Sequence, residues 1–190
     1  MNRVGVLALQ GAVSEHLRMA ARVGCEPVPV TDAATLLGCD ALVIPGGEST
    51  TISRLIHTRG LARPLCYFAV QKPVLGTCAG MILCAKAVTE SGKGPEPLGL
   101  MNITVERNGF GRQVNSFETD LSVTGLGSLP AVFIRAPYIK TAGPEVRILA
   151  YVKNRAVMAE QGTLLVTAFH PELTDDLNVY RYFTAKIQPA

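Results

Sequence analysis

The apolar and polar positions along the chain form two kinds of segment. Residues 4–9 are apolar or glycine throughout, which is typical of a strand covered on both faces in a parallel sheet. Residues 13–23 repeat their apolar positions at helical spacing and are followed by Gly24, as in an amphipathic helix. The chain is therefore predicted to open with a strand followed by a helix.

This alternation continues through the first half of the chain. Further strands are predicted at residues 26–30, 41–44 and 73–76. Further helices are predicted at residues 33–37, 49–58, 61–70 and 81–88, the third of them starting or kinking near Pro64. Strands that alternate with helices predict a parallel sheet.

The second half has a different texture. Its β-like segments are residues 103–107, 113–123, 131–135 and 147–152, and a last strand is predicted at residues 163–169. A final helix is expected at residues 175–187, capped by Thr174 or Asp175. Residues 1–190 are thus predicted to form one three-layer α/β/α domain, with a mostly parallel central sheet and a mixed or antiparallel extension.

Composition and charge exclude several classes of function. The 190 residues are 48% hydrophobic and 17% charged, as in an ordinary globular domain. A net charge of +3, without a clustered basic stripe, gives no indication of a nucleic-acid partner. No apolar run approaches the roughly 20 residues of a membrane span. Five cysteines, none in a C-x-x-C pair, indicate a reducing compartment, so we expect a soluble cytoplasmic protein.

Residues 76–80 carry the strongest chemical signal. Their sequence, Gly-Thr-Cys-Ala-Gly, has the form of a sharp strand-to-helix turn that exposes a nucleophile, here the thiol of Cys78. The positive end of the helix dipole favours a thiolate, and the N–H of Ala79 would face a developing oxyanion. The alternative is a small apolar cysteine at a helix start, and the turn signature favours the nucleophile.

A thiol nucleophile needs a base, and the chain has three histidines. His16 and His57 lie on predicted helices and are expected to face solvent. His170 follows an apolar strand and precedes a proline, which favours extended backbone. Residues i and i+2 then point to the same side, so Glu172 can orient the His170 ring. The alternative is a strand-end histidine with a surface glutamate.

A glycine turn at residues 45–51, Pro-Gly-Gly-Glu-Ser-Thr-Thr, lies between a strand and a helix. Its backbone N–H groups could bind an anion or an oxyanion. The turn lacks the spacing and the lysine of a phosphate-binding loop. The simpler alternative is a structural turn with Ser49 or Thr50 as the helix N-cap. Metal binding is not expected, because the chain has no second cluster of histidines or cysteines.

Together these motifs resemble the class I (triad) glutamine amidotransferases, which hydrolyse glutamine through a cysteine thioester. Five blocks are similar to the glutaminase subunits of pyridoxal 5′-phosphate synthase, and they span nearly the whole chain. These blocks are residues 9–12, 45–51, 106–113, 133–137 and 170–173.

The resemblance implies a flavodoxin-like glutaminase whose triad is Cys78, His170 and Glu172. It implies that L-glutamine is bound by Gly47, Glu48, Ser49, Arg107, Ile134 and Arg135, with the backbone N–H groups of Gly47 and Ala79 as the oxyanion hole. The subunit itself would need no cofactor. Its ammonia would pass to a separate (β/α)8-barrel synthase subunit within a large hetero-oligomer.

The family's isolated glutaminase is typically idle until the synthase docks, and Gln10 and Gly46 are candidates for that switch. Exposed arginines such as Arg112 could belong to the docking face or be merely solvated. Two alternatives remain open at this point. One is the glutaminase of another biosynthetic complex, and the other is a flavodoxin-like module whose cysteine senses oxidants.

Overall fold

The computed structural model describes residues 1–89, 94–110 and 116–188. The helices are α1 (Val13–Arg22), α2 (Ala33–Leu37), α3 (Ser49–Thr58), α4 (Ala62–Gln71), α5 (Ala79–Cys84) and α6 (Asn178–Thr184). The strands of the first half are β1 (Arg3–Leu7), β2 (Glu26–Val30), β3 (Ala41–Ile44), β4 (Val74–Thr77) and β5 (Ala85–Thr89). Those of the second half are β6 (Met101–Glu106), β7 (Ser116–Val123), β8 (Gly127–Ile134), β9 (Tyr138–Ala142), β10 (Arg147–Val152), β11 (Arg155–Gln161) and β12 (Leu164–Thr167).

The main sheet has the strand order β2-β1-β3-β4-β12-β11-β9-β6-β5, and β10 pairs with β11. The strands from β2 to β12 in this order are parallel, and antiparallel pairs join β12 to β11, β11 to β9 and β9 to β6. Every residue of β3, β4 and β12 is buried, because these strands occupy the centre of the sheet. The predicted α/β class, with a mostly parallel core and an antiparallel extension, is confirmed.

Two predictions in the middle of the chain are wrong, and two strands there were missed. The helix expected at residues 81–88 ends at Cys84, and Ala85–Thr89 continues as β5, which pairs with β6. β7 and β8 form a separate two-stranded antiparallel sheet instead of extending the main one. Strands β9 and β11 were not predicted. For β5, β9 and β11, pairing with other strands of the main sheet overrides the local pattern.

The C-terminal helix is shorter than predicted. Residues Pro171–Leu173 form a 3₁₀ turn, and α6 begins at Asn178. Neither Thr174 nor Asp175 caps it. Asp176 instead accepts a hydrogen bond from the Asn178 N–H at 2.7 Å. Across the described residues, no helix combines the length and apolar character that crossing a bilayer would require.

Candidate active site

The junction of β4 and α5 places Cys78 at a sharp turn. The strand ends at Thr77, the helix begins at Ala79, and Cys78 between them has φ 50° and ψ −101°. Such a positive φ is uncommon for a residue with a side chain and concentrates at functional sites. Glycine is required at position 80, because a Cβ there would lie 2.0 Å from the Ile44 carbonyl oxygen. The predicted cysteine elbow is therefore present.

Strand pairing brings His170 to this turn. β12 lies beside β4 in parallel register, with Thr167 opposite Thr77, so the carboxyl ends of the two strands meet. The chain leaves β12 and reaches His170, whose imidazole interacts with the Cys78 side chain and, like it, packs against Gly46. On its other side, His170 Nδ1 lies 2.7 Å from Glu172 Oε1. The structure thus brings the three predicted residues together in the expected order.

This arrangement controls the charge of His170. Burial by itself lowers the pKa of His170, but the hydrogen bonds and charges of Cys78 and Glu172 outweigh it and raise that pKa to about 10. Glu172 is also buried, with 6% of its surface exposed, and it acts on the ring from behind. His170 is therefore an imidazolium at neutral pH, beside the sulfur.

The glycine turn packs directly against the cysteine and the histidine. A Cβ on Gly46 would lie 2.6 Å from His170 Cε1 and 3.5 Å from Cys78 Cβ. The N–H of Gly46 donates to Thr77 Oγ1 at 3.0 Å, and its carbonyl accepts from the Ala12 N–H at 3.0 Å. Because the peptide bond is planar and trans, the Gly47 N–H points to the side opposite Ala12.

Glu48 is the N-cap of α3. Its carboxylate accepts from the Thr50 N–H at 3.0 Å and from the Thr51 N–H at 2.6 Å. Although partial burial opposes the shift, these hydrogen bonds lower the pKa of Glu48 to about 2. Ser49 or Thr50 was expected to cap this helix, and that prediction is wrong. The glutamate reaches the N–H groups because its longer side chain folds back over the first turn.

The opposite wall carries the arginines. Arg107 Nη2 lies 3.7 Å from Glu48 Oε1, so positive and negative groups face each other across the opening. Cys78 Sγ lies 3.9 Å from the Ile134 carbonyl oxygen. Arg135 follows in an uncommon conformation, with φ 43°. These residues follow or end β6 and β8, two strands that lie far from β4 along the sequence.

All these groups surround one cavity of about 380 Å³. Its lining contains every residue predicted to bind substrate, together with the predicted nucleophile and the predicted base. The lining residues are Gln10, Gly47, Glu48, Ser49, Cys78, Ala79, Ile82, Arg107, Asn108, Ile134, Arg135 and His170. Two predicted residues lie just outside this lining. Glu172 contacts Nδ1 of the His170 ring, and Gly46, within the glycine turn, packs against the same ring.

Comparison with known proteins agrees with this geometry. The SNO glutamine amidotransferase family matches residues 6–188. The chain belongs to this family. It is 52% identical over 190 residues to the pyridoxal 5′-phosphate synthase subunit PdxT of Geobacillus thermodenitrificans, covering 99% of this chain and 96% of the relative. It is 54% identical over 187 residues to PdxT of Pelotomaculum thermopropionicum, covering 97% and 94%.

The fold of a solved family relative is also similar. A crystal structure of a glutamine amidotransferase superposes with a TM-score of 0.92 at 44% identity, covering 97% of this chain and 98% of the other. The resemblance to the amidotransferase family noted from the sequence is therefore confirmed.

Sequence reasoning missed two residues that line this amidotransferase cavity, and it misplaced one buried histidine outside it. Ile82 lies one helical turn after Cys78, and Asn108 precedes a glycine and has φ 51°, so spacing and turn chemistry could have suggested both. The prediction that His16 faces solvent is wrong, because none of its surface is exposed. His16 lies on the buried face of α1 with Met19 and Ala20, and its helical spacing from these apolar residues could have indicated that it is buried. His57 is exposed as predicted, and Arg112 lies outside the described residues.

Proposed function

We propose that this chain is the glutaminase subunit of a pyridoxal 5′-phosphate synthase. It hydrolyses L-glutamine to L-glutamate and ammonia, and it delivers the ammonia to a synthase subunit that builds the vitamin B6 cofactor. The observation that carries the proposal is the contact of Cys78 with a His170 ring held by Glu172, at a cavity that presents both a carboxylate and guanidinium groups. The close relatives named as PdxT support the choice of complex.

In the first half of the reaction, Cys78 acts as the nucleophile and His170 as the acid. The Cys78 thiolate attacks the side-chain amide carbon of glutamine, and a C–S bond forms. The N–H groups of Gly47 and Ala79 hold the oxyanion of the tetrahedral intermediate. His170, an imidazolium at neutral pH, gives its proton to the amide nitrogen, the C–N bond breaks, and ammonia leaves.

The second half regenerates the enzyme. Neutral His170 takes a proton from a water molecule, whose oxygen attacks the thioester carbon. The C–S bond breaks, glutamate leaves, and the thiolate and imidazolium are restored as a pair. Glu172 contacts neither the substrate nor the sulfur. It holds the ring with Nδ1 protonated, so that Nε2 is the atom that exchanges the proton.

The charged walls suit the ends of an amino acid. Arg107 and Arg135 can pair with the α-carboxylate of glutamine, and Glu48 can pair with its α-ammonium group. Ser49 and the Ile134 backbone complete the pocket around the side chain. The cavity of about 380 Å³ lies within the size range of small-molecule sites.

The synthase partner is proposed to be a (β/α)8-barrel subunit that receives the ammonia directly within a large hetero-oligomer. Gln10 and Gly46 are proposed to link docking to activity. Gln10 Oε1 accepts from the Glu48 N–H at 2.9 Å, so it ties the chain before α1 to the turn that carries Gly47. A partner that moved either residue would move the oxyanion donors.

The proposal is tested by measuring ammonia release from glutamine in the complex with a pyridoxal 5′-phosphate synthase subunit. Cys78→Ala removes the nucleophile and His170→Asn removes the acid, so each is expected to lower kcat by about 10²-fold to 10⁴-fold. Circular dichroism should show that both variants remain folded.

Cys66→Ala serves as the matched control, since Cys66 is a half-buried cysteine outside the site. It is expected to keep full activity. Full turnover by His170→Asn would remove the triad mechanism. Activation by an unrelated acceptor subunit, and by no pyridoxal phosphate synthase, would assign the glutaminase to another complex.

A further inference from the structure

A second histidine lies buried behind the proposed triad. His16 on α1, Tyr180 on α6 and Thr77 at the end of β4 have no exposed surface. His16 Nδ1 is hydrogen-bonded to the Tyr180 hydroxyl. Its Nε2 lies 3.1 Å from Thr77 Oγ1 and 3.5 Å from Glu172 Oε1. One imidazole thus joins three secondary-structure elements to the carboxylate of the triad.

The surroundings decide where the His16 proton resides. Burial lowers the pKa of His16, so the ring is neutral and carries one N–H. Burial also raises the pKa of Tyr180 well above its ordinary value, so the phenol keeps its proton and can donate it to Nδ1. The N–H of His16 is then on Nε2, where it faces the Thr77 oxygen and the Glu172 carboxylate, which can only accept.

Through Glu172 and Thr77, the contacts of His16 reach both His170 and the glycine turn beside Cys78. Glu172 Oε1 accepts from His170 Nδ1 at 2.7 Å, and it is the same oxygen that faces His16. Over the described parts of the chain, Glu172 Oε2 has no hydrogen-bond partner, so the orientation of this carboxylate depends on Oε1. Thr77 Oγ1 accepts from the Gly46 N–H at 3.0 Å, at the turn that packs against His170.

We propose that His16 is a positioning residue for glutamine hydrolysis. Held by Tyr180 with its proton on Nε2, it orients the Glu172 carboxylate toward His170 and, through Thr77, fixes the glycine turn beside Cys78. This inference rests on the proposed glutaminase function and deepens it. His16 does not line the substrate cavity, so its effect is on turnover rather than on glutamine binding.

The test compares His16→Leu, His16→Gln and Tyr180→Phe in the complex with the synthase subunit. Ammonia release is divided by the number of sites labelled by a glutamine-analogue electrophile, so that misfolded molecules do not count. His16→Leu is expected to lower kcat per labelled site roughly 10- to 100-fold, because the Thr77 hydroxyl and the Glu172 carboxylate both lose the N–H that faces them. The KM for glutamine should stay within about twofold, because no lining residue changes.

His16→Gln should recover most of the lost turnover, because its amide N–H can occupy the position of Nε2. His57→Leu is the matched control, since it removes an exposed histidine from another helix, and its kcat should not change. Wild-type kcat per labelled site in His16→Leu would overturn the proposal. So would a His16→Gln variant as slow as His16→Leu, because packing alone would then explain the loss.

If His16→Leu does not fold, Tyr180→Phe decides, since it removes a single hydroxyl and keeps the ring. A reduced kcat per labelled site supports the proposal, and an unchanged one overturns it. The activity of the wild-type complex distinguishes a failure of the His16 proposal from a failure of the glutaminase proposal. Wild-type protein that releases no ammonia with its synthase refutes the glutaminase proposal, whereas active wild type with unaffected variants refutes the role of His16 alone.

Discussion

At the residue scale, the site depends on close packing around Gly46 and on the strained backbone of Cys78. A Cβ on Gly46 would enter the His170 ring at 2.6 Å, and the Cys78 backbone holds a positive φ that its neighbours must impose. Strain of this kind persists only where the surrounding structure determines it. Here the imposing contacts are the Cys78 N–H bond to the Thr167 carbonyl at 2.8 Å and the close approach of Gly80 to Ile44.

The charge of Glu172 is expected to contribute to the pH dependence of turnover, because Glu172 and Cys78 both raise the pKa of His170. The pKa of His170 is raised to about 10, so the imidazolium that is proposed to protonate the departing amide nitrogen is present below that pH and is lost as the pH rises through it. Glu172→Gln removes the negative charge and lowers this pKa. The alkaline limb of the kcat profile, measured from pH 6 to about 10.5, is therefore expected to move to lower pH.

Glu26→Gln is the control for this experiment, because Glu26 is exposed on β2, the first strand in the order of the main sheet, where its carboxylate pairs with Arg3. Its alkaline limb should match that of the wild type. An unmoved limb in Glu172→Gln would show that the carboxylate does not control His170.

At the element scale, the N-terminus of α3 combines a structural role with a proposed binding role. The helix begins where a buried strand ends, so its first N–H groups and its cap lie at the edge of the cavity. Glu48 satisfies two of these N–H groups and also faces Arg107 at 3.7 Å. A carboxylate at this end of a helix is favoured by the helix dipole.

Glu48→Ala should lower the free energy of unfolding by about 1 kcal/mol or less, because a cap is lost at a side chain that solvent partly screens. The pKa of Glu48 in the folded protein is about 2, below its ordinary value, so this stabilisation is present above pH 4.5 and disappears as the pH falls toward 2. Urea denaturation at pH 7 and pH 3 measures both effects. The KM for glutamine should rise as well.

Asp32→Ala provides the matched comparison, since Asp32 caps α2 by accepting from the Thr35 N–H at 2.9 Å, outside the cavity. It should destabilise the fold without changing KM. An equal change of KM in both variants would show that Glu48 acts through helix stability alone.

At the scale of the whole molecule, an aromatic cluster joins the small sheet to the main one. Phe133 on β8 stacks on Phe117 of β7 with ring centroids 4.6 Å apart, and it meets Phe169 at 5.7 Å. Phe169 directly precedes His170, and Phe133 directly precedes Ile134 and Arg135. The cluster therefore holds the cavity wall that is proposed to bind substrate against the segment that leads from β12 to His170.

Phe133→Ala should cost about 3 to 5 kcal/mol of unfolding free energy, because it leaves a cavity in this cluster. It should also raise the KM for glutamine, since Ile134 and Arg135 lose their support. Denaturant unfolding and steady-state kinetics in the complex measure the two effects. Phe68→Ala, at a buried position of α4, should cost similar stability and leave KM unchanged. A normal KM in Phe133→Ala would contradict the coupling.

Local sequence was enough for the features that depend on neighbouring residues. Apolar runs identified β1, β3, β4 and β12, and helical spacing identified α1 to α4. The cysteine elbow and the pairing of His170 with Glu172 were equally local, because a five-residue turn and an i, i+2 spacing define them. The choice of Arg107 over Arg112 was not local and came from the resemblance to a family.

Tertiary structure decided what neighbouring residues could not. β4 and β12 lie side by side although nearly ninety residues separate them, and this pairing is what brings Cys78 to His170. Other tertiary contacts bury His16, make residues 85–89 a strand beside β6, and leave β7 and β8 as a second sheet. The physical reason is that local propensities differ by only about 1 kcal/mol, whereas burying an apolar face against a distant strand contributes several times more.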